Sequence, residues 1–557
     1  MIKKILFPLL IGKAGKYARD FERAACRTQE TQRSVLLAKV RAHQDSEFGR
    51  KFSFRGVTDV ASFRKRIPLS EYSFFQPYIE RVKQGDVRAL FGPGTKIIMF
   101  ALTSGTTKEP KFIPVTCSFL KDYRRGWLIW GYYVYSKYPL IVQRTIFPLT
   151  SAYDETHAST GIPCGAISGL TSEKQNFVTR LIYTVPASVY RIKDVESKYY
   201  TMMRIALQRC VGSITTANPS TVLSLIRTAD RYKGLLIKDI HDGTLSGTAM
   251  LSPDIRRGLE KMFKPDPVRA RELESFASRR GELLPLDYWP KLGLITNWKG
   301  GTLSTYLRQY PHCFGNIPVW DIGLVASEGR MTIPMQEEGS SGVLDIISHF
   351  FEFVPEEEED SPAPTVLLAH ELVVGKRYFI ILTTSSGLYR YNIHDLVEVT
   401  GFYHQAPVLR FLNKGKHISS MTGEKLTEYQ AVEAMKETSL RCSLEIDAFT
   451  MIPRPGEQPR YSLILEQSAA GEKEGWARLC AVLDEQLQQQ NIEYAGKRRS
   501  DRLASPGLLI VRDGSFEALK KGRILKQHGR AEQYKHIFLT PDSDFYKGFD
   551  IISTFSV

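Results

Sequence analysis

Cysteine pairing is missing from this sequence. Seven cysteines (Cys26, Cys117, Cys164, Cys210, Cys313, Cys442 and Cys480) are spread through 557 residues with no CxxC pair. The odd number and wide spacing exclude a disulfide framework and the common zinc spacings, and they suit a reducing cytoplasm. Most of them read as small core residues. Long apolar runs are missing too. The stretch Ile5 to Ile11 is interrupted by Pro8 and is too short to span a bilayer, so no stable membrane insertion is expected. The charged GKAGKYARDFERA follows it where a signal peptide would show a small-residue cleavage site. The opening residues therefore read as the start of a buried or amphipathic helix, with weak membrane-surface contact as the alternative. Zinc-finger spacing and aromatic RNA-binding signatures are lacking, and the lysines and arginines are scattered. The formal charge of +15 is thus read as solvated surface that attracts an anionic substrate, with no nucleic-acid partner expected. Internal repeats and low-complexity linkers are absent, as is any Ser-His-Asp or Cys-His constellation, so a covalent enzyme nucleophile is not expected.

What is present is an ordinary globular mix, 43% hydrophobic and 24% charged, in a chain long enough for two to four domains. Residues 12 to 90 read as helical from apolar positions at three-to-four spacing, with Ser70 as a candidate cap for EYSFFQPYIERVKQ. KIIMFAL reads as a buried strand and Tyr123 to Tyr138 as part of a helix. RTIFPLTSA, VGSITTANP, LGLITNW and IPVWDIGLVASEGRMTIPM read as strands opening into loops, and NPSTVLSLIRTADRY as a helix capped near Ser220. That rhythm predicts a largely parallel, covered sheet. From Gly342 the pattern turns to β, in GVLDIISHFFEFV, RYFIILTT, LYRYNIHDLVEVTGFY and PVLRFLN; the acidic run Glu356 to Asp360 reads as a solvated loop. After Asn413, helical LTEYQAVEAMKET, paired strands SLEIDAFTMI and YSLILEQ, and helical EGWARLCAVLDEQLQQQ predict a small α+β domain. The fold class is α/β: a large N-terminal domain over 1–412, with a β-rich subdomain over about 342–412, and a smaller C-terminal domain over 413–557.

The chemistry begins at Thr103-Ser104-Gly105-Thr106-Thr107, with Lys111 shortly after. Small hydroxyl residues and a glycine after a buried strand let backbone N–H groups and hydroxyls surround phosphate oxygens, and a lysine adds charge. An ordinary Ser/Thr turn has the same residues. The segment resembles the phosphate loop of the acyl-adenylate-forming superfamily (acyl-CoA ligases, luciferases and peptide-synthetase adenylation domains), departing from its usual glycines at Lys108 and Phe112. With SEYSFFQPYIERVKQGD before it and LYRYNIHDLVEVTGF after it, the chain resembles the Gretchen Hagen (auxin-responsive) acyl-acid amido synthetase family, colinearly from about residue 20 onward.

This resemblance implies a reaction in two steps. A carboxylic acid attacks Mg·ATP to give an acyl-adenylate and pyrophosphate, and an amine, usually an amino acid, then displaces AMP to form an amide. Thioester formation with coenzyme A, or a non-catalytic nucleotide-binding relative, are the alternatives. The implied ATP-binding residues are Thr103 to Thr107, Ser327, Tyr389, Asp395 and Lys425. Glu328, in Ala326-Ser327-Glu328-Gly329, is implied as the Mg²⁺ ligand, since a hard cation favours a carboxylate. Asp395 matches the aspartate that accepts from the ribose hydroxyls, although His394 stands where the family has glycine. Asn413–Gly415 resembles the hinge of a mobile C-terminal domain, and Lys425 would face the nucleotide or the second substrate. Lys111 and Lys535 are the implied catalytic lysines, with Arg523 and Lys526 as competitors for the role of Lys535. Two weaker features, FPLTSAYDETHASTGIPCGAISG and Trp298 with its Gly-Gly pair, are candidate walls of the acyl pocket.

Overall fold

The computed structural model describes residues 2–103, 111–173, 182–245, 251–300, 307, 309–359, 361–414, 418–446, 448–519 and 537–556. Contacts divide the chain at Leu412/Asn413 into two compact units, with Lys111 grouped in the second.

In the first unit, the helices Ile2–Ala25, Thr28–Ala42, Tyr72–Lys83 and Cys117–Lys137 bring Phe21, Leu36, Phe75, Ile79, Phe119 and Ile129 into one core with the strands below. Their three-to-four spacing sets one apolar stripe per helix toward that core. The opening residues do form a helix, which continues through Pro8. Thr116 caps Cys117–Lys137, its hydroxyl accepting from the Phe119 N–H at 3.0 Å. Ser70 does not cap its helix. The N-cap is Glu71, and Ser70 instead exchanges backbone hydrogen bonds with a strand more than three hundred residues away.

Three sheets lie in this unit. β1 (Ile97–Thr103), β2 (Lys111–Thr116), β4 (Thr156–His157) and β5 (Pro163–Gly165) are ordered β2-β1-β5-β4. β3 (Thr145–Leu149), β6 (Val211–Thr216), β7 (Leu294–Asn297) and β8 (Val319–Asp321) pair in parallel in sequence order, which is the covered parallel sheet predicted from the sequence. The helix after β6 starts at Pro219, so Ser220 lies inside it rather than at its cap. β9 (Val325–Ala326) and β10 (Gly329–Arg330) form a short hairpin where the sequence suggested an open loop.

The seven-stranded sheet is ordered β11-β12-β17-β16-β15-β13-β14. Its strands are β11 (Thr332–Ile333), β12 (Ser341–Leu344), β13 (Phe350–Pro355), β14 (Leu367–Leu368), β15 (Arg377–Thr383), β16 (Tyr391–Tyr403) and β17 (Ala406–Lys414). GVLDIISHFFEFV is thus two strands, β12 and β13, separated by the turn around Asp345–His349. Glu356–Glu358 is a short helical turn with no buried residue.

In the second unit, β18 (Ile418–Ser419) and β19 (Leu426–Thr427) form a hairpin. β20 (Thr450–Arg454), β21 (Arg460–Glu466), β22 (Gly507–Val511) and β23 (Ile551–Ser556) form a sheet in that order. Alternation along the strands feeds two cores: Met451, Leu463, Leu508 and Ile510 face the helices Glu428–Cys442 and Trp476–Gln490, while Ile452, Ile464, Leu509 and Val511 pack with Phe516. Of SLEIDAFTMI only the end is strand, from Thr450.

The cysteine expectation needs correcting. All seven are free, but only Cys164, Cys313 and Cys480 are buried; Cys26, Cys117 and Cys210 are exposed. Each exposed one flanks or opens a regular element, where neighbouring turns leave its side chain uncovered.

Candidate functional site

Three segments far apart in sequence form the candidate site of the first unit. β8 ends at Asp321, whose carboxylate accepts from the Gly323 and Lys299 N–H groups, both at 2.6 Å. Burial raises its pKa to about 6 against those backbone bonds. Gly323 has φ +85°, and a Cβ there would lie 2.4 Å from the Thr332 carbonyl oxygen, so only glycine fits this turn. The chain then enters the β9–β10 hairpin, with Ala326 opposite Gly329 and Ser327 and Glu328 as its two turn residues. Glu328 is only 3% exposed, and its Oε2 has no hydrogen-bond partner among the described residues. A buried carboxylate oxygen without a protein partner fits the role of a cation ligand. The Ser327 hydroxyl points at the Leu102 carbonyl oxygen, 3.5 Å away at the outer limit of a hydrogen bond. It therefore lies beside the end of β1, one residue before Thr103.

Behind the hairpin, Arg330 is fully buried. Its Nη1 donates to the carbonyls of Ile322 (2.9 Å) and Thr332 (3.0 Å), and its guanidinium lies 4.2 Å from the Trp127 ring centroid. Arg330 fixes both approaches to the Glu328 turn, a role the sequence did not reveal.

The third segment is the start of β16. Asn392 is opposite Ile381 and Leu396 opposite Phe379, so β16 spends two more residues than β15 over the same stretch. This bulge contains His394 in the left-handed conformation, φ +59°. The Asn392 side-chain oxygen accepts from the His394 N–H at 2.8 Å, and His394 Nε2 lies 3.2 Å from Glu71 Oε1. A glycine in the family's pattern would take this backbone shape without strain; here a local side-chain clasp stabilises it instead. Asp395 is the last residue of the bulge, before the register resumes at Leu396, and is 3% exposed.

Tyr391 ties the segments together. Burial raises its hydroxyl pKa well above the ordinary value, and the nearby carboxylates of Glu328, Asp395 and Glu71 push it further. Tyr391 was not singled out from sequence. Arg390, at φ +50°, anchors the segment: its Nε donates to Glu352 Oε2 (2.9 Å) and its Nη1 to the Ile67 carbonyl (2.8 Å).

Tyr389 is not brought to this cluster. It is fully buried, stacked on Phe48 with ring centroids 5.3 Å apart and edge-on to Phe54 at 4.9 Å. Thr103 ends β1 and Lys111 opens β2. Ser104, Gly105, Thr106 and Thr107 lie outside the described residues, as do Lys108, Lys535, Arg523 and Lys526. The departure at Phe112 has a physical account: its ring is covered by the Lys83 ammonium, 3.6 Å from the centroid, and its N–H donates to the Tyr72 hydroxyl at 2.8 Å. In the second unit, Lys425 has φ +47° in the turn between β18 and β19. Trp298 is held by its indole N–H donating to the Gly323 carbonyl at 2.8 Å, which places it against the turn that leads into the hairpin.

The models of the GH3 family N-terminal, central and C-terminal domains match residues 17–319, 342–414 and 429–544. A jasmonoyl–L-amino acid synthetase of Oryza sativa subsp. japonica is 26% identical over 553 residues, covering 93% of each chain. An indole-3-acetic acid-amido synthetase of Arabidopsis thaliana is 24% identical over 550 residues, covering 92% of this chain and 90% of the relative. Among solved structures, an acyl acid amido synthetase in complex with 2,4-DB aligns over 98% of this chain and 97% of its own, with a TM-score of 0.67 at 21% identity.

Proposed function

This chain belongs to the GH3 family, and from that premise we propose that it activates a carboxylic acid as its acyl-adenylate and passes the acyl group to an amine, most naturally an amino acid. The relatives named above are synthetases that join an acyl acid to an amine, and the match runs along nearly the whole chain. The observation that carries the reading is the Glu328 hairpin turn: the carboxylate is buried with Oε2 unpartnered among the described residues, and the neighbouring Ser327 hydroxyl lies 3.5 Å from the Leu102 carbonyl oxygen at the end of β1.

In the first step the acid's carboxylate oxygen attacks the α-phosphorus of ATP and pyrophosphate leaves. Thr103 to Thr107 cradle the phosphates, Ser327 contributes its hydroxyl, and Lys111 and Lys535 offset the growing negative charge. Asp395 accepts from the ribose hydroxyls, and the bulge around His394 sets its direction. Glu328 would hold a divalent cation, which when bound offsets charge on the triphosphate. Tyr389, buried between Phe48 and Phe54, supports the turn into β16 rather than touching the nucleotide. In the second step the amine attacks the acyl carbon and AMP leaves with the bonding pair; Lys425 serves the nucleotide or the amine here. Asn413–Gly415 is the hinge between the two steps.

The test is ATP–pyrophosphate exchange across aromatic, fatty and hydroxy acids with Mg²⁺, followed by amide formation with an amino-acid panel. Exchange stimulated by one acid class, with AMP release dependent on an amino acid, is expected. AMP release dependent on coenzyme A instead would replace the second step. ATP binding with no exchange for any acid would overturn the adenylation reading. Asp395→Ala is expected to weaken ATP binding about tenfold, the cost of losing hydrogen bonds to a charged acceptor, measured by calorimetry.

A further inference from the structure

The second unit contains a carboxylate folded back onto its own loop. Glu424 has no exposed surface. Its Oε1 accepts from the Met421 N–H and from the Tyr461 hydroxyl, both at 2.6 Å. Its Oε2 accepts from the Thr422 N–H at 2.7 Å and the Thr422 hydroxyl at 2.9 Å. Four neutral donors from the loop and from β21 thus surround a single buried acceptor group. A carboxylate suits this arrangement because it only accepts; a glutamine would turn an N–H₂ toward one of the donors.

The consequence falls on the next residue. Gly423 has φ +99° and Lys425 φ +47°, so the chain reverses on both sides of Glu424. The left-handed conformation is unfavourable for a lysine, and it persists only where the surroundings fix it. Here Glu424 is held by its side chain, and its carbonyl accepts from Asn491 Nδ2 at 2.9 Å; Asn491 is itself buried and caps the helix Ile492–Arg499. The residue before Lys425 is therefore fixed at both its side chain and its carbonyl.

We propose that Glu424 is a positioning residue that holds Lys425 in its left-handed conformation and so aims the lysine for the step it serves. This rests on the reading of Lys425 as a nucleotide- or amine-facing residue. Glu424 touches no substrate; it acts through the backbone of its neighbour.

The experiment measures both half-reactions, acid-dependent pyrophosphate exchange and amide formation, in Lys425→Ala, Glu424→Gln and the double variant of the full chain. Tryptic cleavage after Lys425, followed by mass spectrometry, reports the order of the loop without reference to catalysis. The half-reaction slowed by Lys425→Ala is expected to slow at least tenfold in Glu424→Gln, with the other within twofold of the parent. The double variant is expected to be no slower than Lys425→Ala, since one residue acts through the other, and in Glu424→Gln, which keeps the lysine, cleavage after Lys425 should accelerate. Parent-like rates in Glu424→Gln beside a slowed Lys425→Ala would overturn the proposal while leaving the role of Lys425 intact. Multiplying losses in the double variant would overturn it as well. Parent-like rates in Lys425→Ala would instead remove the reading of Lys425 on which it stands. Should Glu424→Gln fail to fold, Tyr461→Phe, which removes one donor of four, decides: a smaller loss in the same half-reaction supports the proposal, and no loss in either overturns it.

Discussion

Glu352 and Glu328 are buried to nearly the same degree, 1% and 3% exposed, and lie in the same unit, yet their surroundings differ. Each oxygen of Glu352 meets a guanidinium, Arg64 Nε at 2.8 Å and Arg390 Nε at 2.9 Å. Glu328 keeps Oε2 without a partner among the described residues. Asp345 stands between the two: burial weighs on its carboxyl more than the nearby Arg125 and Arg330 charges and the Ser348 hydroxyl relieve it. A buried carboxylate answered by cations is part of the frame; one held with spare acceptor capacity at a hairpin turn retains something to offer a ligand. The comparison separates residues that hold the site from residues that serve it, although burial alone would rank them together.

The contrast breaks most visibly at Glu352. Glu352→Ala leaves Arg390 buried and uncompensated, and is expected to cost about 3–5 kcal/mol of stability, read by chemical denaturation. Glu328→Gln is expected to leave the melting temperature within a degree or two while lowering acid-dependent pyrophosphate exchange by about a hundredfold, the scale of losing one charge-stabilising group. If the two substitutions gave the same pattern, the division between frame and ligand would be wrong. Asp345 sharpens the comparison through pH. Burial raises its carboxyl pKa to about 6, above the ordinary value near 4, so the folded state binds its proton more tightly. The stability this contributes is present below about pH 4 and is lost as pH rises through 6. The stability of Asp345→Asn relative to the parent is therefore expected to rise between pH 4 and pH 7.5, read by chemical denaturation at both, and a difference that does not change with pH would show that the carboxyl does not titrate there. The smallest effect is at the bulge. His394→Gly should preserve exchange activity and add about 1 kcal/mol by relieving the left-handed backbone; a loss of activity would show that the Glu71 contact matters to the site.

The sequence revealed elements whose side chains repeat locally. KIIMFAL, LGLITNW and YSLILEQ are short, apolar runs bounded by turn residues, and they are β1, β7 and β21. The family was legible as well, because its motifs stand in order along the chain, and the family models match the same length. Several features were hidden because they depend on partners distant in sequence. No local pattern separates Tyr389, packed between Phe48 and Phe54, from Tyr391, which opens β16 opposite Leu382 and bridges to Ser70. The VASEG hairpin escaped notice because each strand is two residues long, too short for alternation to register. The clasp at His394 looked like a departure from a motif until the Asn392 oxygen and Glu71 were seen around it.

Ser70 gives its N–H to the Arg390 carbonyl at 3.0 Å and accepts the Asn392 N–H at 2.8 Å. Both bonds are made by main chain, so nineteen of the twenty possible residues at this position can form them and only proline lacks the donor. The link between the helix Tyr72–Lys83 and the turn that presents Asp395 therefore asks of position 70 only a backbone N–H and a side chain small enough for a buried place. It is written in chain length rather than in side-chain chemistry. Drift among small residues at position 70 leaves the site intact, whereas a single inserted or deleted residue between Pro68 and Tyr72 would shift the register of everything beyond it.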